Sequence, residues 1–251
     1  MLGKLIKYDF KAMARTMVPI YAVLLALTLI FSGMVRLHFD EGLVFTIFAI
    51  LFVFALVGSM FASVIFTVDR FTRGLLKNEG YLSFALPVNT ATHIAAKVIN
   101  AMIWAFLEGL ALLVCLLIMG AVMGSIEDVR LFFIEVFRFF GVVEKDVLFA
   151  LLRYILIITL EMIAGICLIY AALAIGHLFE KYQKMIMVLF LVIVSVLRST
   201  ILSYTANHIS ISSFEDLVIL TNPVWFVTPV IFGAIYSLIT WYILDRKLNL
   251  E

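Results

Sequence analysis

Residues 42–68 read GLVFTIFAILFVFALVGSMFASVIFTV, twenty-seven consecutive positions without a charged side chain. Wound as an α-helix this run measures about 40 Å, more than the roughly 30 Å of hydrocarbon in a bilayer. A helix apolar on every face belongs in a large core or in a membrane, and no part of the chain offers a soluble domain that could bury it. The run is predicted to span a membrane. Residues 217–244 are equally free of charge.

Five further apolar stretches have the length for a span. With the opening run, the predicted spans are 17–35, 43–68, 98–123, 154–176, 185–204 and 224–244. Composition agrees, because 65% of the 251 residues are hydrophobic and only 14% are charged, for a mean hydropathy of +1.18. The chain therefore reads as one all-α integral membrane domain of six transmembrane helices. The alternation of apolar and polar residues expected of a membrane barrel is absent from the sequence, and so are solenoid repeats. A net charge of +1 gives no reason to expect nucleic acid as a partner.

Orientation follows from the cations, since Lys and Arg are retained on the cytoplasmic side. Twelve of the eighteen fall on one side: Lys4, Lys7, Lys11 and Arg15, then Arg70, Arg73, Lys77 and Lys97, then Lys181, Lys184, Arg246 and Lys247. Both termini are predicted to be cytoplasmic, in a multi-pass protein of the plasma membrane. The first span lacks a small-x-small cleavage site after its apolar run and reads as uncleaved.

Three segments outside the spans are patterned. Residues 1–16 carry Leu2, Leu5, Ile6, Phe10 and Met13 at helical spacing with the four N-terminal cations on another face. That suits a basic amphipathic elbow helix on the inner surface, or cations that only enforce topology and hold anionic lipid. Residues 125–146 combine Phe132, Phe133, Phe137, Phe139 and Phe140 with a narrow polar stripe, and predict an extracytoplasmic interfacial helix, either an anchor or a lid. The third segment is the connection 69–97. There Arg70, Arg73 and Lys77 share one helical face and Glu79-Gly80 interrupts the pattern, so it reads either as a docking element or as an ordinary basic loop. The fourth connection places His177, Glu180, Lys181 and Lys184 on the same side.

Within the spans, Glu108, Glu161 and Arg198 lie about 15, 18 and 20 Å from the inner boundary. A charge near the bilayer centre costs about 2.5–3.5 kcal/mol on the lenient scale, so these groups should pair or face a cavity. A Glu161–Arg198 contact is expected, serving either to hold helices together or to line a polar path. Cys115 and Cys167 fall inside spans and read as reduced packing residues. The four histidines divide between the two sides and form no metal site. Gly120 and Gly124 permit close packing at the end of the third span. Asn222-Pro223 is read as the start of the sixth, kinked at Pro229, and residues 209–221 as a stretch that dips back toward the membrane.

The segment 70–88, RFTRGLLKNEGYLSFALPV, resembles the first cytoplasmic connection of bacterial type-2 ABC exporter permeases, which commonly run close to RF-x-x-x-LL-x-x-EGYL-x-x-x-LPV. Arg70, Phe71, Leu75, Leu76, Glu79, Gly80, Tyr81, Leu82, Leu86, Pro87 and Val88 match, while Lys77-Asn78 stands where the family often has Gly-Asp. The basic start 4–15 and the terminal 244–251 are similar to the same family. The resemblance implies a coupling helix that docks in a cleft of a separate ABC ATPase subunit, an elbow helix before the first span, and a second permease copy. It implies ATP and Mg bound by that partner, since this sequence lacks G-x-x-x-x-G-K-[ST] and reads as no enzyme itself. The function so implied is export of an amphipathic substrate, such as a peptide, a bacteriocin or a drug-like compound. The alternatives are a membrane-embedded enzyme and a sensory or structural membrane protein.

Overall fold

The computed structural model describes residues 2–39, 42–76, 88–124, 126–142, 145–179, 181–208 and 224–246. Among them are seven α-helices: α1 (Leu2–Arg36), α2 (Leu43–Phe71), α3 (Thr90–Met123), α4 (Ile126–Val142), α5 (Lys145–His177), α6 (Gln183–His208) and α7 (Val224–Arg246). A π-helical turn, Thr72–Leu76, follows α2 directly. All but α4 are long and apolar enough to cross a membrane, as expected of a multi-pass membrane protein.

The helices outrun the apolar stretches that announce them. α3 starts at Thr90 and α5 at Lys145, ahead of the predicted 98 and 154. Hydropathy marks only the part that wants hydrocarbon, whereas backbone hydrogen bonding carries the helix on until a cap or turn stops it. At the start of α3 the Asn89 carbonyl accepts from the amides of Thr92 and His93.

The elbow expected at 1–16 is not a separate element. α1 runs unbroken through it and through Pro19, because one buried stripe continues from the basic turns into the span: Met13, Met17, Leu24, Thr28 and Ser32. Thr28 and Ser32 return their hydroxyls to the carbonyls of Leu24 and Thr28, which is how a hydroxyl is satisfied inside an apolar helix. Pro229 likewise sits within a continuous α7. Residues 209–221 and Asn222-Pro223 lie outside the described residues.

Chain contacts divide the protein into two compact units. One comprises residues 6–67 and 100–143. Its core is Met13, Met17 and Trp104, with Phe10, Tyr21, Phe66 and Leu107 packed around them. Phe10 stacks on Trp104 at 4.9 Å. Arg36 donates to the carbonyl of Val122, 2.9 Å away, in the last turn of α3, where carbonyls lack helical partners. Gly120 meets Val129 of α4, and Gly124 lies against Asp128, so this glycine pair serves the turn into α4. The helix α4 leaves Phe132, Phe133, Phe137 and Phe139 exposed.

The other unit comprises residues 1–5, 68–99 and 144–251. Within it α5 packs along α7 and against α6. At the first of these contacts Gly233 faces Ala164, where a Cβ would stand 3.6 Å away, in ordinary van der Waals contact. Gly176 is what permits the second, since a Cβ there would meet the Gln183 carbonyl at 2.9 Å.

Candidate functional site

The segment carrying the exporter-like pattern is anchored where it leaves α2. Phe71, Leu75 and Leu76 are buried together with Ile94, Tyr170, Leu173 and Leu244. Phe71 stacks on Tyr170 of α5, and the Tyr170 hydroxyl donates to the Lys97 carbonyl at 3.3 Å. Gly74 faces Lys97 so closely that a Cβ would sit 2.8 Å from its Nζ. At the end of α7, Asp245 accepts from the Thr90 hydroxyl at 3.1 Å. The exit of the second span is thus tied to the start of α3, the C-terminal third of α5 and the end of α7.

The cations of this segment lie elsewhere. Arg70 is half-buried and Arg73 exposed, the latter paired with Asp69 at 2.7 Å. A π turn has an i→i+5 hydrogen-bond period, so the three- and four-residue spacing from which a shared α-helical face was read does not carry through Thr72–Leu76. Lys77, Glu79, Gly80, Tyr81 and Pro87 lie outside the described residues, as does Glu180. In the connection from α5 to α6, His177 Nδ1 is 3.2 Å from Gln183 Nε2. Lys181 lies over the Tyr182 ring, and Lys184 is exposed.

Halfway along α5 the expected contact between Glu161 and Arg198 is present, with Arg198 donating from α6. The guanidinium also lies over the ring of Phe232 in α7, so one charge joins three helices. Beside the pair is a cavity of about 480 Å³ with apolar walls at Ile157, Leu168 and Leu202. Tyr154 and Trp225 line its end nearest the start of α5 and of α7. A guanidinium with spare donors and a carboxylate with a spare oxygen can hydrogen-bond a ligand there.

Glu108 is not part of this site. It is buried in the other unit, where Oε1 accepts from Ser59 at 2.8 Å and Oε2 has no partner; Tyr21 is its neighbour on α1. Among the contributors that escaped the sequence reading are Tyr170, Phe232 and Trp225, and, beside Glu108, Ser59. Tyr170 and Ser59 are isolated polar groups inside apolar runs, a signal the sequence does carry. Cys115 and Cys167 are free and buried.

No family model, no curated protein and no solved structure matches the chain.

Proposed function

We propose that this chain is the transmembrane permease subunit of an ATP-driven ABC exporter, carrying an amphipathic substrate across the cytoplasmic membrane with separate ATPase subunits and a second permease copy. The observation that carries the reading is the distribution of the matched residues. Those of the RF-x-x-x-LL part that are apolar form a buried anchor, and the docking role that the resemblance implies is assigned to the EGYL and LPV part that follows it in sequence. Both termini and the connections after α2 and α5 are cytoplasmic on this reading, because twelve of the eighteen basic residues lie there.

A rigid anchor suits the job of transmission. A push on the segment passes through the Phe71–Tyr170 stack into α5, and Glu161 lies nine residues from Tyr170 on that helix, about 13 Å along its axis. Closely packed side chains pass on such a displacement because interiors have low compressibility.

Purification from the native cell in mild detergent tests the proposal. An ATP-binding chain should copurify, and Glu79→Ala or Tyr81→Ala should uncouple its ATP hydrolysis from transport without preventing membrane insertion. If no such chain copurifies and both variants leave coupling intact, the proposal fails.

A further inference from the structure

The cavity beside Glu161 and Arg198 has a composition that limits what can occupy it. Both members of the pair are open to it in part, with side-chain exposures of 31% for Glu161 and 18% for Arg198. One guanidinium nitrogen is committed to Glu161, and Phe232 lies beneath the guanidinium. A guanidinium has five N–H donors, and a carboxylate has acceptor capacity on both oxygens. Ser195 and Ser199, one turn apart, lie along the same wall; the Ser199 hydroxyl donates to the Val196 carbonyl and keeps only its acceptor capacity.

Charge then selects the ligand. The pair is neutral as a whole, and by helix rise it lies near the middle of the bilayer. A singly charged ligand would bring an uncompensated charge to that depth, which the membrane penalises. A ligand bearing both signs adds no net charge, and each of its ends finds a partner. The volume of about 480 Å³ falls within the usual range for small-molecule sites, and Ile157, Leu168 and Leu202 offer apolar walls.

We infer that this cavity binds a net-neutral zwitterionic amphiphile, its anionic group held by Arg198, its cationic group by Glu161, and its apolar body laid along Ile157, Leu168 and Leu202. Within the exporter reading the occupant is the cargo, and only that last identification rests on the reading. Binding itself involves no ATPase, so the two ideas fail independently.

The probe is a phosphocholine amphiphile with a brominated tail, added to protein reconstituted in phosphatidylglycerol vesicles. Two comparators carry the same tail with a trimethylammonium or a phosphate head. Quenching is read from Trp225 in a Trp104→Phe/Trp241→Phe background. Direct binding of the tritiated probe to the wild-type chain repeats the measurement without those substitutions. Saturable binding is expected, with half-saturation about tenfold lower for the zwitterion than for either comparator, worth about 1.4 kcal/mol. The double variant Glu161→Gln/Arg198→Gln removes both charges together, so no lone charge is left buried, and it should abolish the head-group preference. Equal, non-saturating binding of all three probes, or an unchanged preference in the double variant, overturns the inference. Adding phosphatidylethanolamine to the vesicles identifies the source: competition marks a bilayer lipid as the occupant, and its absence marks a free amphiphile, the head-group preference being required in both cases.

Discussion

The ring of Phe71, the last residue of α2, lies flat on the ring of Tyr170 in α5, with centroids 4.0 Å apart and planes 11° from parallel. Both side chains are almost wholly buried. Offset aromatic stacks contribute about 0.5–1.5 kcal/mol beyond the area they bury. This contact fixes the end of one span to the C-terminal third of another.

Phe71→Ala should therefore destabilise strongly, by about 3–5 kcal/mol, the range for a buried aromatic cut to alanine. Tyr170→Phe keeps the stack and loses a long hydroxyl contact, so about 1 kcal/mol is expected. Thermal melts of the purified chain in detergent check the order; equal effects would mean that the hydroxyl, not the stack, holds the anchor.

Cutting one member of the Glu161–Arg198 pair leaves the other charge unopposed at membrane depth. Arg198→Gln and Glu161→Gln should each cost about 3–5 kcal/mol, and the double variant markedly less than their sum. A double-mutant cycle on thermal stability measures the coupling. Strict additivity would show that the two groups do not interact.

Glu108 presents a different case, since among the described residues it has no cation beside it and is held by the Ser59 hydroxyl, with Tyr21 as a second hydroxyl neighbour. Glu108→Gln keeps an oxygen for that hydroxyl and removes the charge, so stability should hold or rise. Ser59→Ala removes the hydroxyl that Glu108 shares with the Leu56 carbonyl, at a cost of about 1 kcal/mol. Melting temperatures of the two variants should move in different directions from wild type or differ clearly in size.

Gly233 separates a permitted from a forbidden side chain. A Cβ there stands in ordinary contact with Ala164, so Gly233→Ala should be near neutral, helped by the better helix propensity of alanine. Gly233→Leu has no such room and should cost about 1–3 kcal/mol through overpacking of α5 on α7. Folded yield and melting temperature read the difference.

Cysteines introduced at Arg73 and Lys181 should react with a membrane-impermeant thiol reagent only in inverted vesicles, and one at Arg138 only in intact cells. The opposite pattern would reverse the cytoplasmic assignment of both termini.

The anchor divides what sequence pattern could reach from what it could not. The polarity of 69–97 and the matches at Phe71, Leu75 and Leu76 are visible residue by residue. That these three are buried rather than offered to a partner is not, because burial depends on Tyr170, Leu173 and Leu244, which are distant in sequence. The Glu161–Arg198 contact was within reach of the sequence because two opposite charges at similar depth have few other ways to avoid a large penalty. The cavity beside them was not, since an empty volume is a property of three helices together.

By itself the sequence determined the six apolar helices and a depth for each charged group, because transfer from water to hydrocarbon is close to a sum over individual residues. Only the tertiary structure decided that α1 continues as one helix through its basic turns, that Phe71 meets Tyr170, and that α7 meets Ala164 at Gly233. Lipid tails are as apolar as leucine, so hydrophobicity cannot choose which helix faces touch. That choice falls to close packing, small residues and the few polar pairs.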